Sequence, residues 1–273
     1  MANFSAADVK KLREDTGAGM MDAKKALTET DGDYEAAVEY LRVHGAAKAA
    51  KRGAEREASN GLVANAGSTL VQLAAETDFV AKNEEFQALA NQIVQAVDAA
   101  GVSGVEAANA VTLPGGETVA DAVSQLSAKI GEKLELAGAE HYTGDTHVYL
   151  HRRSSDLPAQ VGVLLEYTGG ADESVLHGVA MQIAAMRPQF LTREQVPADV
   201  IANEERIAEA TAREEGKPEK ALPKIIEGRV NGFYKDVVLV EQPSVSEDRK
   251  TVGQILDDAG ITVTRFVRLE AGA

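Results

Sequence analysis

Gly61-Leu62-Val63-Ala64-Asn65-Ala66-Gly67-Ser68-Thr69-Leu70-Val71-Gln72-Leu73-Ala74-Ala75-Glu76-Thr77 is the stretch on which the fold turns. Two short apolar-alternating runs meet at Gly67-Ser68, and that pattern predicts a β-hairpin. Asn83-Glu84-Glu85 then opens a helix with Phe86, Leu89, Ala90, Ile93 and Val97 on one face. A similar order recurs downstream. HVYLHRR and VGVLLEYTGG flank Ser154–Pro158, and a helix follows with Val175, Val179, Ile183 and Met186. The two helices share Ala90-x-Gln92-Ile93 and Ala180-x-Gln182-Ile183, and the strands before them are read as ending at Thr77 and Thr168. Each unit finishes alike, Val119–Ile130 leading to LELAGAEHY and Val252–Asp258 leading to ITVTRFVRLE. The expectation is two related halves, each an antiparallel three-stranded sheet backed by helices.

Upstream lie three short helices. Ser5 precedes Val9 and Leu12, Asp22 opens a segment through Ala26 and Leu27, and Asp31-Gly32-Asp33 starts a third with Ala37, Val38 and Leu41 before Gly45. About 45 residues is near the lower limit for independent folding, so an Ala/Leu-packed unit is expected. Residues 46–58 read as a helical or extended linker. In the second half, Pro197 starts a helix carrying Val200, Ile201 and Ile207, Gly216-Lys217-Pro218 turns the chain, and Leu222, Ile226, Val230, Phe233 and Val237 form one return stripe. Such a stripe seals a projecting two-helix antiparallel hairpin at about 192–237; Pro223 in the first turn of the return helix is tolerated. The chain is therefore expected to be α+β, with a helical domain and linker over 1–56 and core subdomains over 57–140 and 141–273.

Composition narrows the chemistry. The 273 residues carry a formal net charge of −15, and residues 1–56 hold ten basic and ten acidic side chains, so the whole surplus falls downstream. An acidic body repels phosphate backbones, and the one basic run, Lys48, Lys51, Arg52 and Arg56, is small; nucleic-acid binding is disfavoured. Cysteine is absent, which excludes disulfides and thiolate metal sites. The N-terminus lacks the apolar run of a secretory signal, and nowhere do 18 apolar residues follow one another, so the chain reads as soluble and cytoplasmic.

No assembled reaction centre is found. There is no phosphate-cradling Gly-rich loop ending in Lys-Ser/Thr, Gly17-Ala18-Gly19 completes no dinucleotide fingerprint, and no nucleophile has a recognisable base. His147 and His151 would sit about 13 Å apart on a strand at ~3.3 Å per residue, too far for one ion. With His141 they read as surface or contact histidines. Glu84-Glu85, Glu204-Glu205 and Glu214-Glu215 read as solvated helix faces or favourable first-turn charges.

Two places remain. Glu76-Thr77-Asp78-Phe79-Val80-Ala81-Lys82-Asn83 lies at a strand–helix corner. There Phe79 is either an apolar wedge projecting beside the charge of Asp78, or a staple buried under a helix that Asp78 caps. Thr16–Asp22 carries adjacent Met20 and Met21, which cannot both face a small core, so at least one is expected to be exposed and suited to partner binding.

The pieces TGAGMMDAKKAL at 16–27, TDFVAKN at 77–83, AKIGE at 128–132, EGR at 227–229, QPSV at 242–245 and TVGQIL at 251–256 resemble bacterial elongation factor Ts over nearly the whole chain. The resemblance implies a ubiquitin-associated-like three-helix domain, a core of two related subdomains and a coiled-coil hairpin. It implies a non-enzymatic guanine-nucleotide exchange factor without cofactor or metal. Its partner would be elongation factor Tu, GDP-bound and nucleotide-free, without contact to membrane or nucleic acid, and a dimer of heterodimers is left open. Carried over by position, Thr77, Asp78, Phe79 and Val80 form the corner that dislocates the partner's magnesium. Arg13, Met20 and Met21 touch the same nucleotide-binding domain, and His151 and Val245 are further contacts in more divergent surroundings. The chain stops at Ala273, without the C-terminal helical module with which some members touch the partner. A metal or hydrolytic site using Asp78 and the histidines, and a scaffold built on the N-terminal domain, are the rival readings.

Overall fold

A computed structural model describes residues 4–272, and the side chains of residues 46–55 lie outside the described residues. Lys48, Lys51 and Arg52 of the basic run are among the latter. The described chain divides into two units, residues 1–141 with 152–161 and 269–273, and residues 142–151 with 162–268.

The first unit opens with α1 (Ala6–Thr16), which starts at Ser5 in a reciprocal capping box with Asp8 and stops at Gly17, whose φ of 67° closes the last turn. The second helix, α2 (Met20–Glu29), begins two residues before Asp22, with Gly19 as cap. Asp22 sits instead within the first turn, where a carboxylate favours the exposed amide ends. The third, α3 (Tyr34–Glu55), is capped by Asp33 and runs through Gly45 and most of the expected linker. Gly45 is no terminator: a β-carbon there would lie 3.4 Å from that of Ala128, so the glycine marks close approach to another helix. Val9, Leu12, Ala23, Ala26, Leu27 and Ala37 form the small core.

The hairpin follows as expected, β1 (Asn60–Ala66) and β2 (Thr69–Ala75) pairing from Ala66 with Thr69 to Asn60 with Ala75. Gly67 takes φ 48° in the turn. Next come α4 (Asp78–Ala81), α5 (Glu84–Ala100), α6 (Val105–Asn109) and α7 (Val119–Ile130), then β3 (Leu134–His141), antiparallel to β2 with Ala75 opposite Leu134. The sheet order is β1-β2-β3. The helix α5 lays Phe86, Ala90, Ile93 and Val97 into a core shared with Leu62, Val71, Leu73 and Leu136. β2 is buried almost continuously, because its other face is also covered; Gln72 there donates through Nε2 to the Glu270 carbonyl at 2.8 Å. It ends at Ala75, so Thr77 belongs to the corner.

The second unit repeats the scheme. β4 (Asp145–His151), β5 (Val161–Gly169) and β6 (Ile261–Glu270) form a sheet of order β4-β5-β6, antiparallel like the first. It is backed by α8 (Glu173–Met186) and α11 (Val252–Ala259). The buried stripe of α8 is Leu176, Val179, Ala180, Gln182 and Ile183. It is rotated from the expected one, leaving Val175 half-buried and Met186 exposed in the last turn. Between α8 and α11 stand α9 (Ala198–Glu214) and α10 (Leu222–Val237), packed on each other. Leu222, Val230 and Val237 are buried on α10, but their counterparts on α9 are Ala208 and Ala212, while Ile207 is exposed. Small residues let the two backbones approach, and Arg229 clamps Glu215 with both oxygens within 2.9 Å. Among the described residues no helix is long and apolar enough to cross a membrane.

Within this unit Glu166 accepts from Arg265 Nη2 at 2.9 Å and Nε at 3.0 Å, from the Thr264 hydroxyl at 2.9 Å and from the Gly144 amide at 3.0 Å. The Arg265 guanidinium, with the hydroxyl and the amide, holds the carboxyl down at about 2 from 4.5. A depressed folded value means stability that is present above 4.5 and lost as the pH falls toward about 2. Glu166→Gln should therefore lower the urea midpoint at pH 6 by the equivalent of about 1 kcal/mol, because the pair is partly screened by solvent. The gap to the parent should narrow below pH 4.5 and close near pH 2; denaturation followed by circular dichroism across that range checks it.

Candidate functional site

The corner between β2 and α5 is built by three polar anchors. Glu76 accepts the Lys133 amide at 2.6 Å and pairs with Arg56 at 3.0 Å, while its carbonyl takes a hydrogen bond from Asn60 Nδ2 at 2.9 Å. Thr77 donates its amide and hydroxyl to Glu132, and its oxygen caps α4 by accepting the Val80 amide. Asn83 caps α5 by accepting the Glu85 amide at 2.8 Å and the Phe86 amide at 3.2 Å. Caps on both sides leave α4 a single turn, of which Val80 and Ala81 enter the core.

With Val80 and Ala81 both turned inward, the far side of the single turn faces solvent, and Phe79 there is 79% exposed. The staple reading is overturned, since Thr77 and Asn83 do the capping and Phe79 is buried under nothing. A phenyl ring held in water forgoes about 1.5–3 kcal/mol of burial. Beside it Asp78, about half exposed, faces the Lys82 ammonium at 3.7 Å, and Lys82 also donates to Asp156 at 2.7 Å. That hydrogen bond raises the Lys82 pKa, and with the Ser154 hydroxyl it holds the Asp156 carboxyl down at about 2. The corner thus offers an apolar ring flanked by a carboxylate.

Both Met20 and Met21 are exposed, at 47% and 75%, and Arg13 is exposed in the last turn of α1. A groove beside them is lined by Thr16, Gly17, Asp22, His44, Gln125 and Lys129. The Lys129 stem lies where a β-carbon on Gly17 would stand, 2.6 Å from Cγ, and its ammonium reaches Glu85 at 2.8 Å. One side chain therefore ties the Thr16–Asp22 turn to the helix that leaves the corner.

In the second unit Val245 is 57% exposed, and its amide donates to Gln182 Oε1 at 2.9 Å. Gln182, itself buried, donates through Nε2 to Gln242 Oε1 at 3.1 Å and to the Pro243 carbonyl at 3.2 Å. Gln242 in turn donates to the Asp236 carbonyl at 2.8 Å. Nothing in the sequence sets Gln182 apart. The shared Ala-x-Gln-Ile pattern pairs it with Gln92, which is exposed, so the pattern hid its role. His151 is exposed and its Nδ1 lies 3.0 Å from the Tyr149 hydroxyl, while the Tyr149 ring meets His177 edge-on at 5.2 Å.

Of the other two histidines, His147 is buried and His141 half-buried. His147 is buried against His177, its Nδ1 3.1 Å from Glu173, and burial lowers its pKa against the pull of that carboxylate. His141 Nδ1 lies 2.8 Å from the Thr69 hydroxyl, which donates to Asp98 at 2.7 Å. A hydroxyl has one proton, so Nδ1 must be the donor toward it. Thr69 is fully buried with its proton committed to a carboxylate, an arrangement that ties a strand to a helix rather than activating a nucleophile. Among the described residues no three His, Asp or Glu gather to hold a metal.

Apolar side chains displayed on firmly bonded supports, in an α+β chain of two repeated sheets, are the build of a binding protein. The elongation factor TS family model matches residues 76–273, beginning at the corner itself. Curated elongation factor Ts proteins match at full length. That of Cutibacterium acnes is 61% identical over 269 residues, 98% of this chain and 99% of that protein. That of Mycolicibacterium vanbaalenii is 61% identical over 272 residues, 100% and 99%. That of a Nocardioides species is 60% identical over 273 residues, 100% of both. The chain belongs to the elongation factor Ts family.

Replacing Gln182 with Ala should leave the Gln242 oxygen and the Val245 amide without partners. An expected cost of about 1–3 kcal/mol follows from buried polar groups left unpaired. The Val245 amide should lose hydrogen-exchange protection, and mass-resolved exchange over 242–247 checks this against the parent.

Proposed function

We propose that the chain is a translation elongation factor working as the guanine-nucleotide exchange factor of elongation factor Tu. On this reading it binds that GTPase loaded with GDP, promotes GDP release, and holds the empty form until GTP enters. Two things support it: membership of the elongation factor Ts family, and an exposed Phe79 beside Asp78 on a corner bonded from both sides. The second carries the mechanism. A ring that gives up burial in the free protein regains it only inside a partner, so it acts as a wedge driven by its own desolvation.

The energetics follow from linkage. A nucleotide bound at nanomolar strength is held by about 12 kcal/mol, and each tenfold loosening takes about 1.4 kcal/mol. The factor supplies that difference by binding the empty GTPase better than the loaded one, and by reciprocity the incoming nucleotide loosens the factor. A wedge with a carboxylate at its side, set among the partner's magnesium and phosphate contacts, opposes the charges that hold the nucleotide most strongly. Arg13, Met20 and Met21 add contact to the same partner domain, and His151 and Val245 add contact from the second unit. No covalent bond is made or broken, so the chain is a catalyst of exchange and not a hydrolase. The acidic surplus suits a protein partner over nucleic acid in the cytoplasm.

Phe79→Ala should slow the factor-stimulated release of GDP by about 10- to 100-fold, the range spanned by burying one phenyl ring. Its melting temperature should stay with the parent's, since the ring is exposed. Stopped-flow with a fluorescent GDP measures the rate; an unchanged rate, or equal calorimetric affinity for the empty and GDP-loaded GTPase, would discard the reading.

A further inference from the structure

The motif AKIGE at 128–132 spans the end of α7, and its last residue meets the corner. The helix α7 ends at Gly131, whose φ of 88° lets the chain reverse into β3. Glu132 follows at once. Its backbone carbonyl accepts the hydroxyl of the buried Ser127, so the residue is fixed from behind. Its carboxylate faces forward onto Thr77, taking the amide on Oε2 at 3.1 Å and the hydroxyl on Oε1 at 2.9 Å and Oε2 at 3.1 Å.

We infer that Glu132 is a positioning residue for the Asp78–Phe79 wedge, acting through Thr77. Thr77 is the hinge between β2 and the single turn of α4, and a four-residue helix has too few internal bonds to hold itself. Two charge-assisted hydrogen bonds to one carboxylate fix the amide and the hydroxyl of that hinge together. They also aim the Thr77 oxygen at the Val80 amide, which drives Val80 inward and Phe79 outward. Without the carboxylate the ring has several directions to choose from, and the ordering must be supplied in the step after the encounter, as the wedge enters the partner.

This inference rests on the exchange reading for its kinetic arm and stands on its own in the structural one. Glu132→Gln keeps the shape but leaves a single oxygen acceptor for two donors. Expected are amide exchange at residues 77–80 faster by tenfold or more, unchanged protection in α5 and the sheet, and a maximal GDP-release rate reduced at least threefold. The factor concentration for half-maximal rate should stay within twofold of the parent, a split that a merely destabilised protein would not give. In a Phe79→Ala background, Glu132→Gln should add nothing further to the loss. If it slows release additively there, or leaves both the rate and the exchange at 77–80 unchanged, the inference is overturned. Should Phe79→Ala itself prove silent, the exchange reading fails and the hydrogen-exchange arm alone decides for or against Glu132. Thr77→Val, which removes the hydroxyl's bonds to Glu132 together with its cap on the Val80 amide and keeps the Thr77 amide bond, carries the same expectations if Glu132→Gln does not fold.

Discussion

Antiparallel pairing of β2 with β3 places Ala75 opposite Leu134, and everything at the corner descends from that register. Beyond the last pair the two chains part, one toward α4 and the other arriving from α7, with Glu76-Thr77 beside Glu132-Lys133. Each backbone then satisfies the other's side chain: the Lys133 amide goes to Glu76, and the Thr77 amide goes to Glu132. A slip of one residue would turn Leu134 and Leu136 out of the core and remove both bonds together. The hydrophobic alternation that guards the register therefore also guards the geometry of the exposed ring.

Exposing a large apolar group forgoes its burial free energy, and here the local geometry leaves the chain no way to avoid that. Five residues between the capping residues Thr77 and Asn83 leave no slack, Val80 and Ala81 take the inward positions, and Phe79 is left to solvent. The neighbouring charges keep that surface soluble, with Asp78, Lys82 and Asp156 in one exposed chain of ion pairs. Such pairs add little stability. Their use is to hold a carboxylate next to the ring without burying it.

The two halves share element order and sheet order, yet they spend the same motif differently. Gln92 of the first Ala-x-Gln-Ile faces water, whereas Gln182 of the second is buried and holds the Val245 segment by three hydrogen bonds. The difference lies in the insertion: the chain returning from α10 through Gln242 covers α8 in the second half. A repeat in sequence thus fixes topology and leaves each half's display of side chains to what packs over it.

From periodicity and capping residues alone came the α+β class, the hairpin at Gly67-Ser68, the starts of α1, α3 and α5 and the two-helix insertion, because each is governed by contacts within a few residues. The corner was legible as a place, since TDFVAKN puts an aromatic beside a carboxylate where a strand hands over to a helix. Which way Phe79 points was not, because a cap and a staple have the same local signature. Only tertiary structure decided that, along with the close approach that carries α3 through Gly45, the burial of His147, and the tasks of Glu132 and Gln182. These depend on partners tens of residues away, brought together by strand register and helix packing, and no local pattern encodes a distance of that kind.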